Sequence, residues 1–308
     1  MAIAYVQDNP NYLGELYLIG ANQTPFLTMA GGLNGGKTTT RMLFPVAQPW
    51  ELSSASQDTQ SESTAASAGT ADTISRAQDT NTCQIMKLDV GVTFAKQSSI
   101  GEISGVAIAG QPQPVTDEFT FQKMGKLRQM AINIEYSFLQ GTFLTPSAKT
   151  TNQTTRGICE ACSTNTVAAG SVTLTKALLD ELLRTMAGNG SIFMNPVIFV
   201  NAFQKQKLSD IYGYAPSDRN IGGVNIKQIE TDFANLGVVY APQMATSTLL
   251  VADMQFCSPV FMPYEGQMLY WQDTAISAAA KGGFWYTQVG LDYGPEEYHG
   301  TITGLATA

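Results

Sequence analysis

Gly31-Gly-Leu-Asn-Gly-Gly36-Lys37-Thr38 holds residue types at a spacing that could do chemistry. It fits G-x-x-x-x-G-K-[ST], the loop whose backbone N–H groups and lysine cradle nucleotide phosphates. Cys159-Glu-Ala-Cys162 is a C-x-x-C, the spacing of half a zinc site or of a redox dithiol. Glu296-Glu297-Tyr298-His299 sets the single histidine of the chain beside two carboxylates, a pattern suited to general acid or base work. Tyr270-Trp271 and Phe284-Trp285-Tyr286 offer rings on which bases could stack.

Each pattern needs an element to position it. A phosphate loop requires a buried strand before it and a helix after it, with the helix N-terminus facing the phosphates. Upstream, Thr24-Pro-Phe-Leu-Thr-Met is short and carries a proline. Downstream, Thr38-Thr-Thr-Arg-Met-Leu-Phe-Pro is β-branched and meets Pro45, which disfavours a helix. The stretch is therefore read as a glycine hinge, and a nucleotide-binding enzyme rests on Gly31–Thr38 alone. The C-x-x-C lacks a second pair, since Cys83 and Cys257 are single and distant, and is read as two small residues on a short helix. His299 has no G-x-S-x-G or H-E-x-x-H partner, so it is expected to be structural or solvent-exposed, at the end of the last strand. The aromatic runs have no basic neighbours in sequence and are read as sheet core. No residue is assigned a catalytic, cofactor-binding or metal-ligating role, and the chain is expected not to be an enzyme.

The 308 residues allow two domains, and 44% hydrophobic content allows a sizeable core. Only 14% of residues are charged, against about 25% in an average soluble protein. Neutral polar residues cover the surface instead, which suits a protein buried against copies of itself. A net charge of −8 and a pI near 4.7 argue against a sequence-reading nucleic-acid binder, which needs a basic face. They leave room for a container filled by force. The N-terminal MAIAYVQDNPNY has neither the basic nor the apolar region of a secretory signal, and no apolar run approaches the ~18 residues of a membrane span. Synthesis in a reducing cytosol is expected.

The strongest periodicity lies in Asp117 to Gln140, where Met124, Leu127, Ala131, Ile134 and Phe138 form a narrow apolar seam along a helix of about seven turns. Lys123, Lys126, Arg128, Gln129, Asn133 and Gln140 occupy much of the rest. Thr116 is placed to cap the start, Asp117 and Glu118 suit the helix dipole, and Gly141 ends it. The seam is expected to rest on strands from 259–293. Before this spine, 38–52 and 81–95 read as strands enclosing Ser53 to Thr80, which holds no aromatic residue. A structureless loop of that length does not belong inside a compact domain, so a projecting hairpin is expected, with Pro45 and Pro49 on an exposed or edge strand. Residues 1–37 read as an extended arm. After a polar link come a helix at Thr175 to Gly188, a buried strand at Pro196 to Asn201, a helix at Ala202 to Tyr212, and strands at Ile226 to Thr231, Val238 to Ala241 and Thr248 to Ala252. Strands rich in aromatics fill the chain from Pro259 onward.

This order resembles the major capsid proteins of tailed bacteriophages, the Hong Kong 97-type fold. Local runs that resemble one branch of the family are Thr24-Pro-Phe-Leu, Phe44 to Leu52, Asn81-Thr-Cys-Gln-Ile85, Ile132 to Thr142, Thr155-Arg-Gly157 and Val197 to Phe203. The resemblance implies an α+β fold with an N-terminal arm at 1–37 and an extended hairpin, the E-loop, at 38–95. It implies a peripheral domain at 96–154 and 251–308 that includes the spine helix 117–140, and an α/β axial domain at 155–250. It further implies self-assembly through hexamers and pentamers into an icosahedral shell around double-stranded DNA, with scaffolding, decoration and portal proteins as candidate partners and no membrane. The other classes kept in view are another self-assembling shell or tail-structure protein, and the nucleotide-binding enzyme.

Overall fold

The architecture is drawn from a computed structural model, which describes residues 18, 22–47, 50, 52, 55, 57, 59–67, 74, 76–98, 117–145, 148, 151–213, 227–274 and 279–307. In chain order the elements are α1 (Pro25–Ala30), β1 (Lys37–Thr38), β2 (Leu43–Ala47), α2 (Glu62–Ala65), β3 (Asp79–Thr82), β4 (Gln84–Thr93), α3 (Phe94–Ser98), α4 (Glu118–Gln140), α5 (Ile158–Ala161), β5 (Thr166–Ala168) and α6 (Lys176–Gly188). Then follow β6 (Pro196–Val200), α7 (Ala202–Tyr212), β7 (Gln228–Glu230), β8 (Asn235–Tyr240), β9 (Leu249–Asp253), β10 (Ser258–Phe261), β11 (Leu269–Thr274), β12 (Ala280–Asp292), a 3-10 turn at Glu296–Tyr298 and β13 (Gly300–Thr303). Thr116, Ile226 and much of 1–21 and 53–73 lie outside the described residues.

Two sheets carry the body. In the first, β12 is the central strand. It pairs antiparallel with β4 from Ala280↔Thr93 to Val289↔Gln84, and on its other side with β11 and β10, while β1 adds parallel to β10. The second has the order β5-β13-β9-β6-β8-β7. The fully buried run of β6 is sandwiched, as its period of two requires. Ile198 and Val200 face a core with Leu179, Leu182, Leu183 and Met186 of α6. Val197 and Phe199 face the other core, with Met130, Ile134 and Phe138 of α4. α6 forms because its apolar residues recur at helical spacing behind a cap, the Thr175 side chain accepting the Leu178 amide, and it ends at Asn189 before Gly190 at φ 89°.

Several expectations need correction. The arm is not extended throughout, because Pro25–Ala30 is helical and buries Phe26 and Leu27. Pro25 at N1 starts that helix at no hydrogen-bond cost. The second strand of the hairpin splits. Asp79–Thr82 pairs with β2, whereas Gln84–Thr93 leaves the hairpin and pairs with β12 in the body. Residues 251–308 are shared between the sheets: β10, β11 and β12 lie in the first, β13 in the second, and Val251–Asp253 ends β9 of the second.

The spine helix spans Glu118–Gln140, and Asp117 itself is the cap, its carboxylate accepting the Phe119 amide at 3.0 Å. Gly141 ends it by close approach rather than by left-handed backbone: a Cβ there would stand 2.3 Å from the Ser137 carbonyl oxygen. The expected seam holds in the second half, at Ile134 and Phe138, where Met130 and Leu139 join it. It fails in the first half, where Met124 is 58% exposed. There Lys123 faces the sheet instead, with its ammonium 4.3 Å from the Trp271 ring centroid and its carbonyl accepting the Trp285 indole N–H. A cation over an indole is stabilised by the ring quadrupole, so a lysine can face aromatic strands. The floor under α4 is β12, as expected, together with β4, which was expected in the hairpin.

Candidate functional site

The glycine run has its elements reversed. A helix, α1, precedes Gly31–Gly36 and a strand, β1, follows it, so no helix N-terminus faces the loop. Its glycines answer backbone needs: Gly31, Gly32 and Gly36 have φ of 128°, 72° and 104°, and a Cβ on Gly36 would collide with the Pro259 carbonyl. The Lys37 ammonium donates to the carboxylate of Asp292, which is 6% exposed, and so fastens β1 to the end of β12.

Cys159 lies in α5 and Cys162 caps its end. Burial pushes the Cys159 thiol up to about 12 and raises Cys162 and Cys257 well above the usual thiol value. A redox dithiol needs the opposite shift. Among the described residues, no three His, Cys, Asp or Glu side chains converge as a metal site.

His299 lies after the 3-10 turn and just before β13, not at a strand end, and is fully buried. The Asp253 amide donates to Nδ1 at 3.1 Å, which leaves the proton on Nε2 to donate to the Tyr293 carbonyl. Burial holds the imidazole below its ordinary pKa, so the ring is a neutral structural bracket. Glu296 points elsewhere. Burial raises its carboxyl, but hydrogen bonds from the amides and hydroxyls of Ser163 and Thr164 outweigh that and hold it below the usual range.

The aromatic strands do have cations beside them, contrary to the sequence reading. Lys123 covers Trp271 and Trp285, Lys281 sits 4.4 Å from the Phe119 ring and Lys87 4.6 Å from the Phe284 ring. The Lys123 and Lys281 contacts join α4 to the first sheet, and the Lys87 contact links β4 to β12 within it.

Further unusual features gather at the hairpin and at the N-terminal helix. The first is the hairpin. β2 and β3 pair from Leu43↔Thr82 to Ala47↔Asp79, with a register shift between Pro45 and Ala47, and Trp50 bridges Arg76 further out. Phe44 anchors the base beside Cys83 and Val260. Leu43, Trp50, Leu52 and Ile74 are between 48% and 69% exposed. Apolar side chains left exposed together on one element suit a contact surface. The root is gripped by Asn81, Arg156 and Asp79. Two of the family-like runs, Asn81 to Ile85 and Thr155 to Gly157, thus meet in space: the Arg156 amide donates to Asn81 Oδ1 at 2.8 Å and Asn81 Nδ2 donates to the Arg156 carbonyl at 3.1 Å.

The second is the N-terminal helix. Thr24 makes no side-chain cap to α1. The cap comes from Glu135 of the spine helix, whose two oxygens accept the amides of Phe26 at 3.0 Å and Leu27 at 2.6 Å. Glu135 is fully buried. Burial pushes its carboxyl up to about 7 against the downward pull of those two amides. The Phe26 ring then meets Phe138 of α4 edge-on at 6.5 Å and Phe199 of β6 at 5.3 Å, so α1 wedges between spine helix and second sheet.

Glu135, Asn81 and Arg156 were not singled out from sequence. For Glu135 a signal existed: a carboxylate next to Ile134, on the buried side of the helix. Asn81 and Arg156 are ordinary surface residue types, with nothing local to mark their meeting.

Comparisons with known proteins agree with this architecture. A family model described as SU10 major capsid protein matches residues 2–306. The capsid of a native GTA particle has a TM-score of 0.65 at 11% identity, covering 97% of this chain and 95% of that one. The capsid of the cyanophage P-SCSP1u gives 0.56 at 11% identity, covering 99% and 95%. The SrpI encapsulin from Synechococcus elongatus PCC 7942 gives 0.55 at 9% identity, covering 96% and 94%. At these identities the structural likeness is one of fold. No curated protein sequence matches the chain.

Proposed function

The chain belongs to the SU10 major capsid protein family, and from that premise we propose that it builds an icosahedral shell of hexamers and pentamers around the double-stranded DNA of a tailed phage. It is a structural, shell-forming capsid protein whose place is the virion. Its work is geometric, and the nucleotide-binding reading of Gly31–Thr38 is given up, because helix and strand stand on the wrong sides of the loop. The chain is a shell component without catalysis, made in the cytoplasm of a bacterial host.

The observation that carries the reading is the hairpin, rooted in the body and exposing Leu43, Trp50, Leu52 and Ile74 beyond it. In this reading the hairpin, drawn from 38–95, covers a neighbouring subunit, and the arm, 1–37, reaches along another. The spine helix and first sheet, from 96–154 and most of 251–308, form the peripheral domain, which β4 enters from the hairpin. The second sheet forms the axial domain, 155–250 joined by the last strand, near the five- and six-fold positions. A surface reused by every copy closes a symmetric shell. Interfaces each near the standard ~1,600 Å² then sum over many subunits. A net charge of −8 suits a lining that need not attract phosphate. Scaffolding, decoration and portal proteins are its further partners. Electron microscopy of the purified protein tests the reading. Closed shells, or rings of five and six, are expected, and a monodisperse monomer that hydrolyses ATP would overturn it.

A further inference from the structure

We infer that Asp79, Asn81 and Arg156 form a clasp that sets the direction in which the hairpin leaves the subunit, making them positioning residues for assembly; the assembly part rests on the capsid reading above. Asn81 is fully buried. Its amide uses its whole hydrogen-bonding capacity, and the partners lie on three segments. Nδ2 donates to the carbonyls of Arg156 at 3.1 Å and of Leu291 at 2.7 Å. Oδ1 accepts the amides of Thr82 and Arg156, both at 2.8 Å. The hairpin strand, the segment after the polar link and the end of β12 are thereby locked together.

Arg156 makes the second grip. Its guanidinium donates to Asp79 Oδ1 and to the Tyr293 hydroxyl, each at 3.2 Å, and lies 4.4 Å from the Phe143 ring centroid. The Tyr293 hydroxyl closes the ring by donating to Asp79 Oδ2 at 2.5 Å. The two grips fall on opposite sides of the irregularity in the hairpin. Asn81 pairs with Phe44 before the register shift, and Asp79 pairs with Ala47 after it. A bulge interrupts the ladder and bends the strand that carries it. Fixing the ribbon to the body on both sides of the bulge fixes that angle. Further out, Trp50, Leu52 and Ile74 are exposed, so the direction of the hairpin is decided at its root.

The test places spin labels at Ile74→Cys on the hairpin and Lys126→Cys on α4, both exposed sites, in the unassembled full chain. A control pair uses Lys126→Cys and Glu181→Cys on the body. Pulsed electron paramagnetic resonance reads the distance distributions. Because Asn81 is buried, the decision rests on Arg156→Lys and Asp79→Ala, whose sites are 25% and 38% exposed. The hairpin distribution is expected to broaden at least twofold in both variants while the control pair stays unchanged, and Asn81→Ala should broaden it further. A purely stabilising role would lower the melting temperature without widening the hairpin distribution, and an unchanged width in Arg156→Lys and Asp79→Ala overturns the clasp. Particle formation by the unsubstituted chain is scored separately and tests the capsid reading alone.

Discussion

At the residue scale, the buried carboxylate of Glu135 has the clearest consequence. In the unfolded chain a glutamate titrates near 4.3, whereas burial here pushes the group up to about 7. The folded subunit therefore holds this proton to higher pH than the unfolded chain does. Its contribution is fully present below about pH 4 and is lost as pH rises through 7, a change on the order of 3 kcal/mol. The melting temperature of the unassembled subunit should fall between pH 5 and pH 8, and Glu135→Gln should flatten that slope. An equal slope in the variant would show that other groups govern it. Lys37 gives a second residue-scale outcome. Lys37→Ala removes the ion pair with buried Asp292 and should cost about 1–2 kcal/mol in denaturant unfolding, with no nucleotide affinity to lose in calorimetry.

At the element scale, the spine helix separates its two halves. Ile134 is fully buried in the core that α4 shares with α1, β4 and β12, so Ile134→Ala should cost about 2–4 kcal/mol. Met124 belongs to the same sequence seam yet is exposed, so Met124→Lys should stay within about 0.5 kcal/mol. Comparable losses in urea titration would mean that the whole seam is buried. The hairpin supplies another element-scale outcome. Excising all of 53–80 would remove Asp79 and with it part of the root, so the informative deletion is 53–74, closed by a short Gly-Ser link. The subunit should keep its melting temperature within a few degrees and fail to form particles in sedimentation. Normal particles from this deletion would show that the hairpin is dispensable.

At the scale of the whole molecule, two sheets share one core. α1, α4, β6 and β12 all place side chains in it, so the N-terminal helix, the spine helix and both sheets are joined through one packed core. Phe26 of α1 touches both sides of this core, Phe138 of α4 and Phe199 of β6. The net charge of −8 sets how such a body meets DNA. The unassembled subunit should show no salt-dependent affinity for duplex DNA in fluorescence anisotropy at about 0.15 M salt, since affinity of that kind requires lysines and arginines that displace counterions. Tight binding would place a basic surface in this chain that its composition does not suggest.

The sequence by itself determined the spine helix, the buried strand at Pro196, the stripe of α6 and the polar composition of 53–80 between two strand-like runs. These are local properties: periodicity, caps and turn residues act within a few positions of one another. It also argued against a phosphate loop at Gly31–Thr38, because Pro25 and Pro45 stand near it, and the order of α1 and β1 then decided the point. Only the tertiary structure decided which half of the spine seam is buried, that Gln84–Thr93 belongs to the body, that Lys123 faces two tryptophans, that His299 is a buried bracket, and that Asn81 meets Arg156 while Glu135 caps α1. The reason is distance along the chain. Asn81 and Arg156 are 75 residues apart and Glu135 and Phe26 are 109 apart, and no local spacing encodes which strand register or helix rotation brings such partners within 3 Å.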